Sequence, residues 1–219
     1  MFRQVQAQAG VARGDFFSLF TNPVRLGKYL RVLLIGVPLW FVVGILVTLA
    51  PEFGRALGLT GEVTAGLAVF WCYFGLVFGD FLSGALSQLW HSRNKALQVF
   101  LAFCAALVGV YLFGIKGATP TAFYLVCFVL GLSVGFWALF VTVAAEQFGT
   151  NLRATVATTA PNFARGAVVG LVPAFKYLSA QLGMIPGAAV LGGATLLVAF
   201  WAVRTLPESY GKDLDYVEE

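Results

Sequence analysis

The chain has 219 residues, 59% of them hydrophobic and 11% charged, and its mean hydropathy is +0.86. A water-soluble domain carries about 25% charged residues, so this composition excludes a globule covered by its own polar surface and implies an all-α integral membrane protein. The net charge of +4 is read as basic flanks of membrane spans rather than as a nucleic-acid footprint, and no nucleic-acid partner is expected.

Residues 1–29 contain no long apolar run, so no secretory leader is expected there. They read as a linker in which Asp15 to Pro23 forms a short amphipathic helix on the inner membrane surface or remains a disordered leader. A helix needs about 20 apolar residues to cross the hydrocarbon core. Six stretches qualify: residues 30–50, 64–88, 96–114, 121–145, 154–176 and 184–203, the fifth being the least apolar. Residues 206–219 form a tail whose end, with Asp213, Asp215, Glu218 and Glu219, is acidic and solvated. Cys72, Cys104 and Cys127 lie scattered in apolar stretches and read as packing residues, without metal spacing or a disulfide framework.

Short connections make consecutive spans antiparallel. Arg3, Arg13, Arg25, Lys28, Arg31, Arg93, Lys95, Arg153, Arg204 and Lys212 then share one side, and Arg55, Lys116 and Lys176 the other. The positive-inside rule puts the richer side, and both termini, in the cytoplasm. The protein is expected as a multi-pass component of a plasma membrane or bacterial inner membrane.

Two ionisable residues fall deep inside these spans: Asp80 in the second and Arg165 in the fifth. A charge at the bilayer centre costs on the order of 3 kcal/mol and often marks a transport path. Asp80 shares a helical face with Tyr73, Ser83 and Ser87, and Arg165 with Thr155, Thr158 and Asn162. Counted from Arg93 and Arg153 at 1.5 Å per residue, both charges lie ~18–20 Å from the inner boundary, near the midplane. The spacing does not say whether they touch. Asp80, Arg165, Asn162, Thr158, Tyr73 and Ser83 are the candidate substrate or proton pathway, and a structural ion pair is the alternative.

Each charge sits in the middle span of a three-span set, which points to 3+3 inverted repeats. Pro161 and Pro173 favour kinks in the fifth span. Gly75 and Gly79, Gly131 and Gly135, and Gly166 and Gly170 have the spacing of close helix contacts. Trp40 and Trp137 are candidate cavity or interface residues.

Three motifs carry a family resemblance. Gly84 to Gln88 followed by Ser92-Arg93-Asn94-Lys95 resembles the basic loop after the second helix of each half of major facilitator superfamily transporters. Glu146 to Arg153 is similar to the acidic-to-arginine loop between the tenth and eleventh helices of that superfamily. Leu206-Pro207-Glu208-Ser209-Tyr210-Gly211 resembles the Pro-Glu-Thr-x-Gly tail of its sugar-porter-like members. The resemblance covers residues 30–215 and implies helices seven to twelve of a twelve-helix transporter, with a facing six-helix half as partner. It also implies a cytoplasmic gate at Ser87, Gln88, Arg93, Lys95, Glu146 and Arg153, although Gln88 stands where the pattern often has aspartate. The expected activity is alternating-access transport of a small solute across the lipid bilayer, with proton coupling through Asp80, no cofactor and no metal. The alternatives are a non-transporting membrane fragment, channel or regulatory partner. An intramembrane serine hydrolase using Ser83 is disfavoured, because the base such chemistry needs is missing near it: the one histidine, His91, lies about two turns beyond.

Overall fold

The computed structural model describes residues 14–213 and 216–217. The expectations placed on Arg3, Arg13, Asp215, Glu218 and Glu219 lie outside the described residues. The chain is 79% helical without strands among the described residues, and five helices are long and apolar enough to cross a membrane.

A short helix α1 (Ser18–Thr21) precedes the first long one. Helix α2 (Pro23–Phe41) begins about two turns before the expected span, because Asn22 accepts from the Val24 and Arg25 N–H groups and Pro23 opens the first turn. It widens into a π turn over Val42–Val47, and α3 (Ala50–Ala56) continues past Pro51. Leu46 lies inside that wide turn, and the residue five positions on is Pro51, which has no N–H to offer it. The buried Tyr111 hydroxyl, from a second π turn at Val110–Gly114, donates to the Leu46 carbonyl at 2.7 Å instead.

Helix α4 (Ala65–Leu89) is capped by Thr64, and α5 (Arg93–Gly109), which runs on into the second π turn, by Ser92. The fourth stretch is two helices, α6 (Pro120–Val134) and α7 (Trp137–Glu146), broken at Gly135 and Phe136. The fifth expected span is also broken. Helix α8 (Arg153–Gly166) ends at Ala167 and α9 (Val168–Leu182) starts beyond it, so neither is among the five long helices. Tight bonds from Ala167 N–H to the Ala164 carbonyl and from Gly170 N–H to the Ala167 carbonyl mark the break. Pro161 and Pro173 bracket this break without standing in it. Helix α10 (Met184–Thr205) closes the bundle.

At one end, Thr60 N–H bonds to the Ala118 carbonyl and Gly117 N–H to the Leu57 carbonyl. At the other end gather Arg93, Glu146 and Glu208. The closest helix pair is α4 against α6. A Cβ on Gly79 would stand 2.2 Å from the Leu132 carbonyl oxygen, and one on Gly131 would stand 1.9 Å from that of Cys72. Only glycine permits that approach, as the small-residue spacing predicts. Gly166 and Gly170 behave differently: a Cβ on either meets nothing within 4 Å.

Candidate functional site

The two mid-span charges do not form an ion pair with each other among the described residues. Each instead has a local partner. The α4–α6 glycine contact brings Asp80 beside the start of α7, where Phe136 provides no side-chain cap. The Asp80 carboxylate accepts from the Ala138 N–H at 2.9 Å, and the Trp137 N–H also reaches it. A carboxylate at a helix N-terminus satisfies orphan donors and meets the positive end of the dipole. The break in the fourth span is therefore capped by a residue of the second.

Arg165 lies on the exposed side of α8, with its guanidinium carbon 5.1 Å from the centroid of the Trp40 ring. Such a contact contributes about 0.5–2 kcal/mol, more where water is excluded. Trp40 meets Trp137 edge-on at 5.8 Å, and Trp137 stacks on Phe140 at 4.9 Å. Asp80, the α7 N-terminus, Trp137, Trp40 and Arg165 thus form one contiguous layer across four helices. Ala138 and Arg165 are exposed, so that layer opens on the outer face of the bundle.

The remaining pathway residues divide. Thr158 donates to the Ala154 and Thr155 carbonyls and Asn162 to the Thr158 carbonyl, so both side chains satisfy their own helix while standing exposed beside Arg165. Tyr73 is exposed on α4. Ser83 is fully buried and donates to the Asp80 carbonyl at 3.0 Å, while His91 packs edge-on against Tyr210 at 5.2 Å.

The end holding the loop motifs is more tightly organised. Arg93 makes a two-pronged pair with Glu146, Nε to Oε2 at 3.2 Å and Nη2 to Oε1 at 3.0 Å, with side chains only 12% and 14% exposed. The third prong of Arg93 donates to the Ser87 hydroxyl at 2.9 Å, and its guanidinium lies over Tyr210. Ser209 donates to Glu146 at 2.7 Å, and Tyr210 donates to Gln88 at 3.3 Å. Ser87, Gln88, Arg93 and Glu146 are thereby brought together. Lys95 is not part of the cluster: its N–H completes the Ser92 cap and its side chain is exposed. Arg153 opens α8, and the acid facing Arg93 is Glu146.

Glu208 entered the sequence reading only as part of the tail motif and not as a site residue. Its carboxylate accepts from the Ser92 hydroxyl, from the Arg93 and Asn94 N–H groups at the start of α5, and from the Ser209 and Tyr210 N–H groups. An arginine in the first turn opposes the helix dipole, and the Glu208 charge offsets it. Burial pushes the Glu208 carboxyl up, but the bonds from Ser92, Tyr210, Arg93 and Asn94 outweigh it and hold the group below its ordinary 4.5. Asn94 donates to the Leu206 carbonyl and Gln147 to the Pro207 carbonyl, so the tail is strapped across both loops. The sequence carried only the Pro-Glu-Ser motif as a signal, since Ser92, Arg93 and Asn94 lie more than 100 residues away. No family model, curated protein or solved structure matches the chain.

Proposed function

We infer that the chain is one wall of a secondary transporter, six membrane segments arranged as 3+3 inverted repeats, that works by alternating access against a facing half. The motifs resemble those of the C-terminal half of major facilitator superfamily transporters, and that resemblance supplies the reading of the twelve-helix whole. The observation that carries the proposal is the Arg93–Glu146 pair. It joins the loop after the second span to the end of the fourth, and Ser209 and Tyr210 bind both sides of it. A nearly buried ion pair between moving elements is a two-state contact: intact it holds this end closed, and broken it must be rehydrated. On this reading the latched end is cytoplasmic and the wall is captured closed there.

The same reading makes the layer from Asp80 to Arg165 the solute-facing surface. Asp80 is the proton-coupling residue, because protonation removes the charge that holds the α7 N-terminus. Arg165 with Asn162 and Thr158 supplies the polar contact to solute. A purely structural role has its own support, since Asp80 caps a helix and Arg165 rests on Trp40.

Proteoliposome uptake tests the choice, using sugars, organic acids and amphipathic dyes under an imposed pH gradient. The full chain is assayed alone and with a six-span N-terminal half of the same superfamily type. Saturable flux that Glu146→Gln slows and Asp80→Asn uncouples from the gradient is the expected result. Flux that is unsaturable in both configurations overturns the transporter reading. Saturable flux with unchanged pH dependence in Asp80→Asn overturns the coupling role alone.

A further inference from the structure

On the surface formed by α5 and α10, two cavities follow one another. One of about 600 Å³ is lined by Trp90, Lys95, Gln98, Val99, Ala102 and Phe200. The next, of about 290 Å³, shares Phe200 and passes Gly193 and Gly109 to Phe113. The two glycines keep the furrow open: a Cβ on either meets nothing within 4 Å. From Lys95 to Phe113 the helix rises ~27 Å, close to the ~30 Å thickness of a hydrocarbon core. The larger cavity therefore belongs to one leaflet and the smaller lies toward the other.

Charge distinguishes the two ends of the furrow. Lys95 is exposed at the mouth of the larger cavity, and Arg204, also exposed, stands one turn beyond Phe200 on the same face of α10. Among the described residues neither takes part in an ion pair. The nearby acids Glu146 and Glu208 are committed inward, to Arg93, Ser209, Ser92 and backbone N–H groups. Trp90 stands at the same mouth, at the depth where tryptophan favours the lipid–water boundary.

We propose that this furrow binds an anionic phospholipid from the leaflet at the latched end. Its headgroup sits on Lys95 and Arg204, and an acyl chain lies along Val99, Ala102 and Phe200. A zwitterionic lipid offers the same chain, but its phosphate is already paired with its own ammonium. Two uncompensated cations above an apolar slot select net negative charge. The inference rests on the helices spanning a bilayer and is independent of transport, so a failed flux assay leaves it standing and its own failure leaves the flux result intact.

Native mass spectrometry of the full chain, released from micelles holding equal amounts of phosphatidylglycerol and phosphatidylcholine, tests it. One phosphatidylglycerol should be retained in preference. Lys95→Gln and Arg204→Gln should each lower that preference by about five-fold, from the usual worth of one cation near an anionic headgroup. Lys116→Gln at the opposite end should leave it unchanged. Gly193→Phe, which fills the furrow, should reduce retention of both lipids. Equal retention of the two lipids by the native chain overturns the proposal, as does a preference that survives the Lys95→Gln/Arg204→Gln double substitution.

Discussion

The fourth and fifth hydrophobic stretches carry the same two devices, a pair of glycines four residues apart and a break in the helix, and use them in opposite ways. In the fourth, Gly131 presses against the Cys72 backbone and Gly135 against that of Gly79, so closely that backbone meets backbone. The break that follows is capped by Asp80. In the fifth, Gly166 and Gly170 face open space, and the break at Ala167 carries its own tight turn with no side-chain cap. One stretch is cemented to its neighbour, and the other presents a polar face, Thr158, Asn162 and Arg165, to the outside. A small-residue motif thus reports a close contact only where a partner supplies a matching groove. Where none does, the same glycines leave a flat, adaptable surface.

The largest effect that can break this comparison is expected at the glycine crossing. Gly79→Leu must force apart α4 and α6, and should cost at least the ~3 kcal/mol upper range of ordinary overpacking. Gly170→Leu should stay within ~0.5 kcal/mol, as for unremarkable surface positions. Cys72, Cys104 and Cys127 are all buried, so thermal unfolding in detergent can be followed by their labelling with a thiol-reactive dye. Equal melting of the two variants would show that the fourth stretch is not locked where the fifth is free.

Next in size is the latch. Arg93→Ala leaves Glu146 buried without its cation, and loss of one partner of a buried pair costs about 3–5 kcal/mol. The pair keeps slight exposure, which places the expectation at about 3 kcal/mol. Glu146→Gln keeps one acceptor oxygen for Arg93 or Ser209, where alanine in place of Arg93 leaves a buried charge with no cation, and should cost less. The same dye-labelling melt ranks the two, and a Glu146→Gln variant less stable than Arg93→Ala would contradict this account of the network.

What the sequence made legible follows the range of the interactions involved. Helix starts at Ala65, Arg93 and Pro120 were near the expected spans because their caps, Thr64, Ser92 and Thr119, are local, whereas the Asn22 cap lies well before the apolar run and the first helix starts earlier than expected. The equal depth of Asp80 and Arg165 came from counting residues, and the structure places them in one layer bridged by Trp137 and Trp40. What bridges them was not legible, because a T-shaped tryptophan pair leaves no spacing signature. The break at Gly135 was hidden by a continuous apolar run that hydropathy reads as a single span, whereas in the fifth stretch Pro161 and Pro173 signalled kinks and the break came between them, at Ala167. The role of Glu208 was not legible because it depends on five donors, three of them contributed by the distant segment Ser92 to Asn94.

A smaller effect sharpens the account of the fourth stretch. Asp80→Ala removes the cap on α7, and loss of a capping side chain typically costs about 1 kcal/mol. Asp80→Asn keeps an acceptor oxygen and should lose less than half of that. At the fifth stretch, Asn162→Ala removes only a bond from Asn162 to its own helix and should be within ~0.5 kcal/mol. Thermal melts of the three variants should therefore order as Asp80→Ala, Asp80→Asn, Asn162→Ala. An Asp80→Ala variant as stable as the native chain would mean that the break needs no cap.

The mildest expectation is the acid limb of the stability profile. The Glu208 carboxyl is held below its ordinary 4.5 in the folded chain, so the folded state favours the charged form more than the unfolded chain does. The stabilisation is then complete above the unfolded value and is lost as pH falls through the folded one. Lowering the pH from 7 to about 5 should leave this contribution intact, and its loss should begin only below about 4.5. Protonation strips acceptors from the Arg93 and Asn94 N–H groups and frees the tail from the start of α5. Glu208→Gln removes the titrating group, so its melting temperature should be lower at pH 7 and fall less steeply below pH 4.5. An identical acid limb in the two proteins would place the pH sensitivity elsewhere and reduce the tail to a passive strap.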